Sequence, residues 1–202
     1  LRISHQEGHL YAGLWSAGGP ADREFLALHV SGGTTEVLLV SRAQTGLSIE
    51  WLGGTIDLQA GQFIDRVGVA LGQPFPAGRH LEKLAQAGHA SPLSIPVAVS
   101  GLNISFSGPA SCSQRLIDKG ADPAALAAGV EECIAHSLLR VIIAAHNQTG
   151  LTQVLLVGGV TANGYIRNYL RQKLPPDMVV YFPSTAFSSD NAVGVAYAAL
   201  GR

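Results

Sequence analysis

The pattern of apolar and polar residues predicts a series of helices and strands in the first half of the chain. Apolar residues recur at helical spacing over residues 4–16, before the helix-breaking segment SAGGPAD, so a helix is predicted there. Residues 25–42 are β-rich on both sides of Gly32 and Gly33, as expected for a hairpin. The segment LSIEWL at residues 47–52 is predicted to be a third strand.

A second helix is predicted for residues 55–71, since its apolar residues share one face. That apolar face comprises Ile56, Ala60, Phe63, Ile64, Val67 and Leu71. Asp57, Gly61 and Asp65 are expected on another face, so that Asp65 points away from the core stripe. Residues 94–108 suggest a second hairpin or an extended excursion. Asp122 and Pro123 supply an N-cap and a first-turn proline for a long helix that reaches about residue 147.

The last third of the chain alternates between predicted strands and helices. A buried strand in TQVLLVGGV precedes a helix in ANGYIRNYLRQKL, and a strand in MVVYFP precedes a helix in SSDNAVGVAYAAL. Ser188, Ser189 and Asp190 are expected to open that last helix. The sequence therefore predicts an α/β fold with a mixed sheet, in which three meandering strands are followed by alternating helices and strands. Ligands are expected at the loops that follow the strands.

Composition narrows the class of protein. Of the 202 residues, 47% are hydrophobic and only 13% charged, which argues against a disordered or fibrous chain. The net charge of -1 and the presence of only three lysines give no basic stripe for nucleic acid. Cys112 and Cys133 form no metal or disulfide pattern, and no apolar run reaches the roughly 18 residues of a membrane helix. A soluble protein of the cytoplasm is the expectation.

Two histidines near the start of the chain are the first candidates for chemistry. On a helix, His5 and His9 share a face and can offer two imidazoles to one cation such as zinc or iron. Glu7 lies about 200° around the helix from His5, so it cannot serve as the base of an H-E-x-x-H metalloprotease. Two surface histidines on an ordinary polar face are the alternative.

Two glycine turns and three polar side chains are further candidates. The stretch Ser31-Gly32-Gly33-Thr34-Thr35 and the stretch GGVTAN at residues 158–163 could each hold a phosphate, a carboxylate or a ribose, or could be simple tight turns. Asp190 stands where a helix N-cap is expected, and Asp65 could be a solvated helix residue. The other histidines, His29 among them, share no spacing and are interpreted as structural.

In order along the chain, these segments resemble the threonylcarbamoyl-adenosine synthase family, formerly described as O-sialoglycoprotein endopeptidases or glycoproteases. The resemblance rests on motifs from nearly the whole chain, namely HQEGH, HVSGGTTEV, GGTIDLQAGQFIDRVGVALG, FPAGRHLEKLA, ISFSG, VGGVTANGYIR and FSSDNAVGVAYAAL. It implies the two-lobed, ribonuclease-H-like fold of actin-like ATPases, with the nucleotide in the cleft between the lobes.

The resemblance covers only the second lobe of that fold. Residues 1–202 are accordingly expected to form a single α/β lobe, and the first lobe has no counterpart in the sequence. The chain begins with Leu1 and its only methionine is Met178, so residue 1 is not expected to be the translational start.

The resemblance also implies a set of site residues. His5, His9 and Asp190 would bind one divalent metal, iron or zinc. Ser31 to Thr35 would cradle the phosphate or acyl group of an adenylate, or of ATP. Asp65, Gly78 and Asn163 would hold the nucleoside. The reaction implied is transfer of threonylcarbamoyl from its adenylate to a tRNA adenosine, with an inactive paralogue of the same fold and a small P-loop ATPase as partners.

Several residues depart from the family's motifs. Thr34 replaces a histidine, Ala77 and Arg79 replace a glycine and a proline, and a leucine-lysine-threonine segment is replaced by residues 109–111, Pro-Ala-Ser. These changes are expected to line the cleft rather than the core. The alternative to a transferase is therefore a non-catalytic paralogue that binds nucleotide or acts as a scaffold. A metalloprotease ranks last, because the histidine spacing supplies no general base.

Overall fold

A computed structural model describes residues 4–44, 46–88, 91–187 and 192–200. Its centre is one seven-stranded mixed sheet with the order β4-β5-β3-β2-β1-β6-β7. The strands are β1 (Glu24–Val30), β2 (Thr35–Ala43), β3 (Gly46–Thr55), β4 (Ala98–Ser100), β5 (Asn103–Ser105), β6 (Gln153–Val157) and β7 (Val179–Tyr181). β1, β2 and β3 form an antiparallel meander, and β6 and β7 run parallel to β1. The predicted meander and mixed sheet are confirmed.

Seven described helices flank the sheet. They are α1 (His5–Ala17), α2 (Ala60–Ala70), α3 (Gly78–Ala87), α4 (Ser107–Asp118), α5 (Pro123–Thr149), α6 (Gly164–Lys173) and α7 (Val193–Leu200). Short 3₁₀ turns lie at Gly159–Ala162 and Thr185–Phe187. Within the described part of the chain, no helix is both long and apolar enough to cross a membrane.

The two faces of the sheet pack against different helices. Leu10 and Leu14 of α1 cover the face that carries Phe25, Leu38 and Leu155. The opposite face contributes to the larger core, where the five predicted apolar positions of the long helix α5 are all fully buried. Those positions are Leu126, Val130, Ile134, Leu138 and Val141. Because alternate residues of β1 and β6 enter different cores, the two strands are buried on both sides, which explains their continuous hydrophobic runs.

The prediction of a helix over residues 55–71 is wrong at its start. α2 begins only at Ala60, and Ile56 is 69% exposed rather than part of the core. Asp57 lies in the preceding loop, where its carboxylate accepts hydrogen bonds from the Phe106 amide and from the hydroxyls of Ser105 and Ser107. Side-chain bonds of this kind compete with helix formation. Burial raises the pKa of Asp57, but these bonds lower it more, so the pKa lies well below its ordinary value.

The apolar pattern did not predict α3 and α4. α3 buries only Leu81 completely, with Leu84 and Ala85 partly buried beside it, and α4 buries Pro109 and Ser113, so each helix contacts the core through a short stripe. The last helix is confirmed over α7, whereas its expected opening at Ser188, Ser189 and Asp190 lies outside the described residues. The hairpin predicted within residues 94–108 is confirmed as β4 and β5.

Candidate functional site

The two glycine turns meet at one edge of the sheet. β1 and β6 are parallel neighbours with His29 opposite Val157, so the loops after Val30 and Val157 emerge side by side. Gly158 has a φ of 99°, and a Cβ at this position would lie 2.3 Å from the Val30 carbonyl oxygen. Only glycine allows the second turn to approach the first so closely. The predicted placement of both turns beyond the strand ends is therefore confirmed.

Helix α1 presents its two histidines at its first turns. Its N-cap is Ser4, whose hydroxyl accepts from the Glu7 amide at 3.2 Å, while the Glu7 carboxylate accepts from the Ser4 amide at 2.7 Å. This capping box stabilises the helix start and uses Glu7 for that purpose. The Nε2 atoms of His5 and His9 lie 3.2 Å apart, as the four-residue spacing predicts.

A third imidazole joins this pair. His29 of β1 is only 2% exposed, and its ring centroid lies 4.6 Å from that of His9, which is 8% exposed. The interpretation of His29 as merely structural thus missed its place beside the histidine pair. The missing signal was the proximity of α1 to β1, which the spacing of histidines in the sequence does not contain.

The third expected metal ligand cannot be placed. Asp190 lies outside the described residues. Within the ranges that are described, no three His, Cys, Asp or Glu side chains are grouped so as to hold a metal ion. The structure therefore brings the imidazoles of His5 and His9 together. A metal site formed by His5, His9 and Asp190 stays a prediction.

The loop from Ser31 to Thr35 is tightly turned. The Ser31 amide donates to the Thr34 carbonyl at 2.7 Å, and the Ser31 hydroxyl accepts from the Gly33 and Thr34 amides at 3.2 and 3.1 Å. Thr35 is buried, and its hydroxyl accepts from the Ala60 amide at 2.9 Å. Gly32 and Gly33 are exposed. The loop thus offers two exposed glycines on a frame that Ser31 and Thr35 hold in place.

The first turn of α2 packs directly onto this loop. The Gly61 amide donates to the Ser31 carbonyl at 3.1 Å, and a Cβ on Gly61 would lie 2.6 Å from the Gly32 Cα. Gly61 is expected on a different face from the apolar stripe of α2, and on that face it is buried against the loop.

Replacing Gly61 by alanine is expected to push the loop away and to lower the free energy of unfolding by about 1–3 kcal/mol, a typical cost of overpacking. Urea unfolding measures the change. Gly108→Ala is the matched control, because Gly108 also lies in a first helical turn but a Cβ there would meet no atom within 4 Å. Equal stabilities of the two variants would contradict the close contact at Gly61.

Asp65 connects α2 to the start of α3. Its Oδ1 accepts a hydrogen bond from the Ala77 amide at 2.7 Å, directly before Gly78. Asp65 is half-buried, so the alternative of a fully solvated helix residue does not hold. A Cβ on Gly78 would meet nothing within 4 Å, so there is open space beside that backbone. The structure thus brings together two of the three predicted nucleoside residues.

Asn163 lies at the start of α6 and is held on both sides of its amide. Its Oδ1 accepts from the Ile166 amide at 3.0 Å, and its Nδ2 donates to the carboxylate of Glu131. The adjacent Gly164 amide donates to the Glu82 carboxylate of α3 at 2.7 Å. α6 is therefore tied to α3 near Asn163, and two carboxylates that sequence reasoning missed lie at this junction.

Glu131 is an unusual buried acid. It is 5% exposed, and burial raises its pKa to about 7, opposed by the Asn163 hydrogen bond and assisted by the nearby charge of Glu82. In the sequence it occupies one position of an acidic pair, Glu131-Glu132, within a helix. Its burial depends on how α5 packs against α3 and α6.

The expectation that the departures from the family's motifs all line the cleft is wrong. Ala77 is 0% exposed, and a Cβ added at Gly68 would lie 2.4 Å from the Ala77 methyl group. Pro109 is also buried, whereas Arg79 and Ser111 are exposed and Thr34 is partly exposed. Ala77 therefore changes packing between α2 and α3 rather than the chemistry of the cleft.

The sequence matches a known protein family and several of its members. The sequence profile described as TsaD: tRNA N6-adenosine threonylcarbamoyltransferase matches residues 1–197. A relative of that name from Thermus thermophilus is 37% identical over 205 residues, covering 99% of this chain and 60% of the relative. Another from Nitrosomonas europaea is 35% identical over 207 residues, covering 98% and 60%. The chain thus spans about 60% of the length of these relatives.

Solved structures agree on the fold. Full-length HypF, crystallised in a phosphate- and nucleotide-bound form, is similar with a TM-score of 0.76 and 15% identity, covering 100% of this chain and 36% of HypF. T. kodakarensis HypF gives a TM-score of 0.74 at 17% identity, again covering 100% of this chain and 36% of HypF. At such identities the likeness concerns the fold alone, and it confirms the predicted actin-like ATPase fold. With a profile match over nearly all of its length, the chain belongs to the TsaD family of tRNA N6-adenosine threonylcarbamoyltransferases.

Proposed function

We propose that this chain is the second lobe of a tRNA threonylcarbamoyltransferase, which transfers threonylcarbamoyl from threonylcarbamoyl-AMP to a tRNA adenosine. The observation that carries the proposal is the convergence of His5 and His9 beside the strand end from which the Ser31–Thr35 loop emerges. Since the chain spans about 60% of its relatives' length, the activity is proposed for the full-length protein.

The two histidines of α1 fit the metal that the family resemblance implies. His5 and His9 direct their Nε2 atoms toward one another, and imidazole nitrogen is a preferred ligand of zinc and iron. Asp190 would supply the third ligand. When bound, the metal ion would supply Lewis-acid polarisation of the mixed anhydride.

The remaining residues would bind and orient the adenylate. The exposed glycines of the Ser31–Thr35 loop would lie against its phosphate or acyl group. Asp65 uses Oδ1 to hold the Ala77 amide, which leaves Oδ2 to accept from a ribose hydroxyl. The open space at Gly78 would let a nucleoside approach the backbone. Asn163 would act mainly by fixing the start of α6, since both ends of its amide are already bonded.

A non-catalytic nucleotide-binding or scaffolding paralogue is the second candidate. It is favoured by Thr34, which replaces a histidine in the loop and so removes a group that could carry positive charge. Ala77 does not support it, because its side chain is buried in the core and its amide donates to the Asp65 carboxylate, as a glycine amide at this position also would. A metalloprotease finds no support, since the Glu7 carboxylate caps α1.

The deciding experiment supplies the full-length protein with threonylcarbamoyl-AMP, unmodified tRNA, the same-fold paralogue and the P-loop ATPase. Modified nucleosides are then measured by mass spectrometry after digestion of the tRNA. Threonylcarbamoyl-adenosine that forms only with the protein present is the expected result. Binding of iron, zinc or adenylate without any modified nucleoside would instead favour the scaffolding paralogue.

A further inference from the structure

A small cleft lies between α2 and α4. It has a volume of about 220 Å³ and is lined by Arg66, Val67, Ala110, Ser111 and Gln114. Pockets for drug-sized ligands hold roughly 300–1,000 Å³, so this cleft suits a molecule smaller than those ligands. None of the residues assigned above to metal, phosphate or nucleoside lines it.

Arg66 provides the positive side of the cleft. Its side chain is exposed, and it makes no ion pair or side-chain hydrogen bond with any residue that the structure describes. A guanidinium group presents parallel N–H donors that match the two oxygens of a carboxylate. This side of the cleft is therefore suited to a carboxylate.

The opposite side offers two hydrogen-bond acceptors, Ser111 Oγ and Gln114 Oε1. The Ser111 hydroxyl donates its one proton to the Ser107 carbonyl at 2.9 Å, so its oxygen is left to accept. Gln114 donates Nε2 to the Asp118 carboxylate at 2.9 Å. Because a carboxylate only accepts, this bond fixes which end of the Gln114 amide is nitrogen and leaves its oxygen as an acceptor.

The acceptors Ser111 Oγ and Gln114 Oε1 lie near the carboxylate of Asp118, so a positively charged hydrogen-bond donor is favoured there. Asp118 adds negative charge behind Gln114, while Arg66 faces the cleft from α2. A ligand that satisfies both sides carries a carboxylate at one end and an ammonium group close to it. Val67 and Ala110 leave an apolar surface for a short aliphatic side chain.

We propose that this cleft binds a free α-amino acid with a small side chain. Its carboxylate pairs with Arg66, and its α-ammonium donates to Ser111 Oγ and Gln114 Oε1. The proposal is independent of the transferase function, because it uses neither the histidines nor the glycine turns. Ala110 is essential to it, since a longer side chain at this position would fill the cleft.

Saturation-transfer NMR on the full-length protein tests the proposal with L-alanine as the probe. A ligand of this size is expected to bind with a Kd of about 1 mM or tighter. N-acetyl-L-alanine and acetate lack the ammonium group, and L-alaninamide lacks the carboxylate. All three are expected to bind at least about tenfold more weakly, the loss of one charged contact being worth roughly that factor.

Variants test the residues. Arg66→Gln and Ala110→Leu are each expected to weaken L-alanine binding at least about tenfold, the first by loss of charge and the second by filling the cleft. Arg23→Gln, at another exposed arginine, is expected to leave binding unchanged. No saturable L-alanine signal, equal binding of acetate, or full binding by the Arg66→Gln variant would each overturn the proposal. Should one variant fail to fold, the analogue series in the unaltered protein decides.

Discussion

The His9→Ala variant of the full-length protein is expected to lose most of the metal, iron or zinc, and at least about 90% of the tRNA-modifying activity proposed above. The reason is that His9 is the buried member of the imidazole pair, with Nε2 3.2 Å from His5 and its ring 4.6 Å from His29. Loss of a residue that only supports a metal ligand lowers metal affinity or activity roughly 10–100-fold. Loss of a direct ligand is therefore expected to lower them by at least that much. Elemental analysis and the modified-nucleoside assay measure the two effects.

His80→Ala is the matched control for this prediction. His80 lies exposed on α3, away from the pair on α1, so its removal tests whether any histidine loss lowers metal content. Its metal content and activity are expected to equal those of the unaltered protein. Full metal content in the His9→Ala variant would show that the metal lies elsewhere, whatever the activity of that variant.

The parts of the site that were predicted from sequence are those encoded by local spacing. The four-residue spacing of His5 and His9 places them on one helical face without any knowledge of the rest of the fold. The two glycine turns follow β-rich runs, and parallel pairing of β1 with β6 brings them together as expected of an α/β sheet. The long helix α5 was also predicted, since its cap and buried stripe are both local signals.

The parts that were missed depend on contacts between distant segments. Asp57 fits the helical pattern of residues 55–71, but its bonds to Ser105 and Ser107 hold it outside the helix. His29 gains its place beside His9 only when α1 packs on β1. Ala77 departs from the family's motif and is therefore expected to line the cleft. Its methyl group instead packs against α2. Residue spacing contains none of these tertiary contacts.

The junction of α3, α5 and α6 also depends on contacts between distant segments, and these contacts affect the stability of the fold. The family resemblance implies Asn163 as a nucleoside ligand, and in the fold its amide is engaged by the α6 backbone and by Glu131. Glu131 in turn lies near the negative charge of Glu82. Burying a carboxyl group beside another favours its protonated form, so this junction is destabilised whenever Glu131 is ionised.

The Glu131→Gln variant is expected to be more stable than the unaltered protein at pH 8, by up to about 3 kcal/mol. The pKa of Glu131 is about 7 in the folded chain, against an ordinary value of 4.5. Between these values the folded state binds more protons than the unfolded state, so the free energy of unfolding falls as the pH rises from about 4.5 to about 7. Glutamine cannot ionise, and its amide oxygen can still accept from Asn163. The free energy of unfolding of the variant is therefore not lowered by ionisation at this position.

Urea unfolding of both proteins between pH 5 and pH 8.5 tests this sign, because the stability difference should be small at pH 5, grow through pH 7 and then level off. Glu132→Gln is the matched control: its carboxylate is partly exposed and lies 3.8 Å from His136, so its effect at pH 8 is expected to stay below about 0.5 kcal/mol. A Glu131→Gln variant that is less stable at pH 8 would mean that ionised Glu131 makes a favourable contact stronger than its burial penalty. The increase with pH is therefore the decisive observation, since a simple packing change would shift stability equally at every pH.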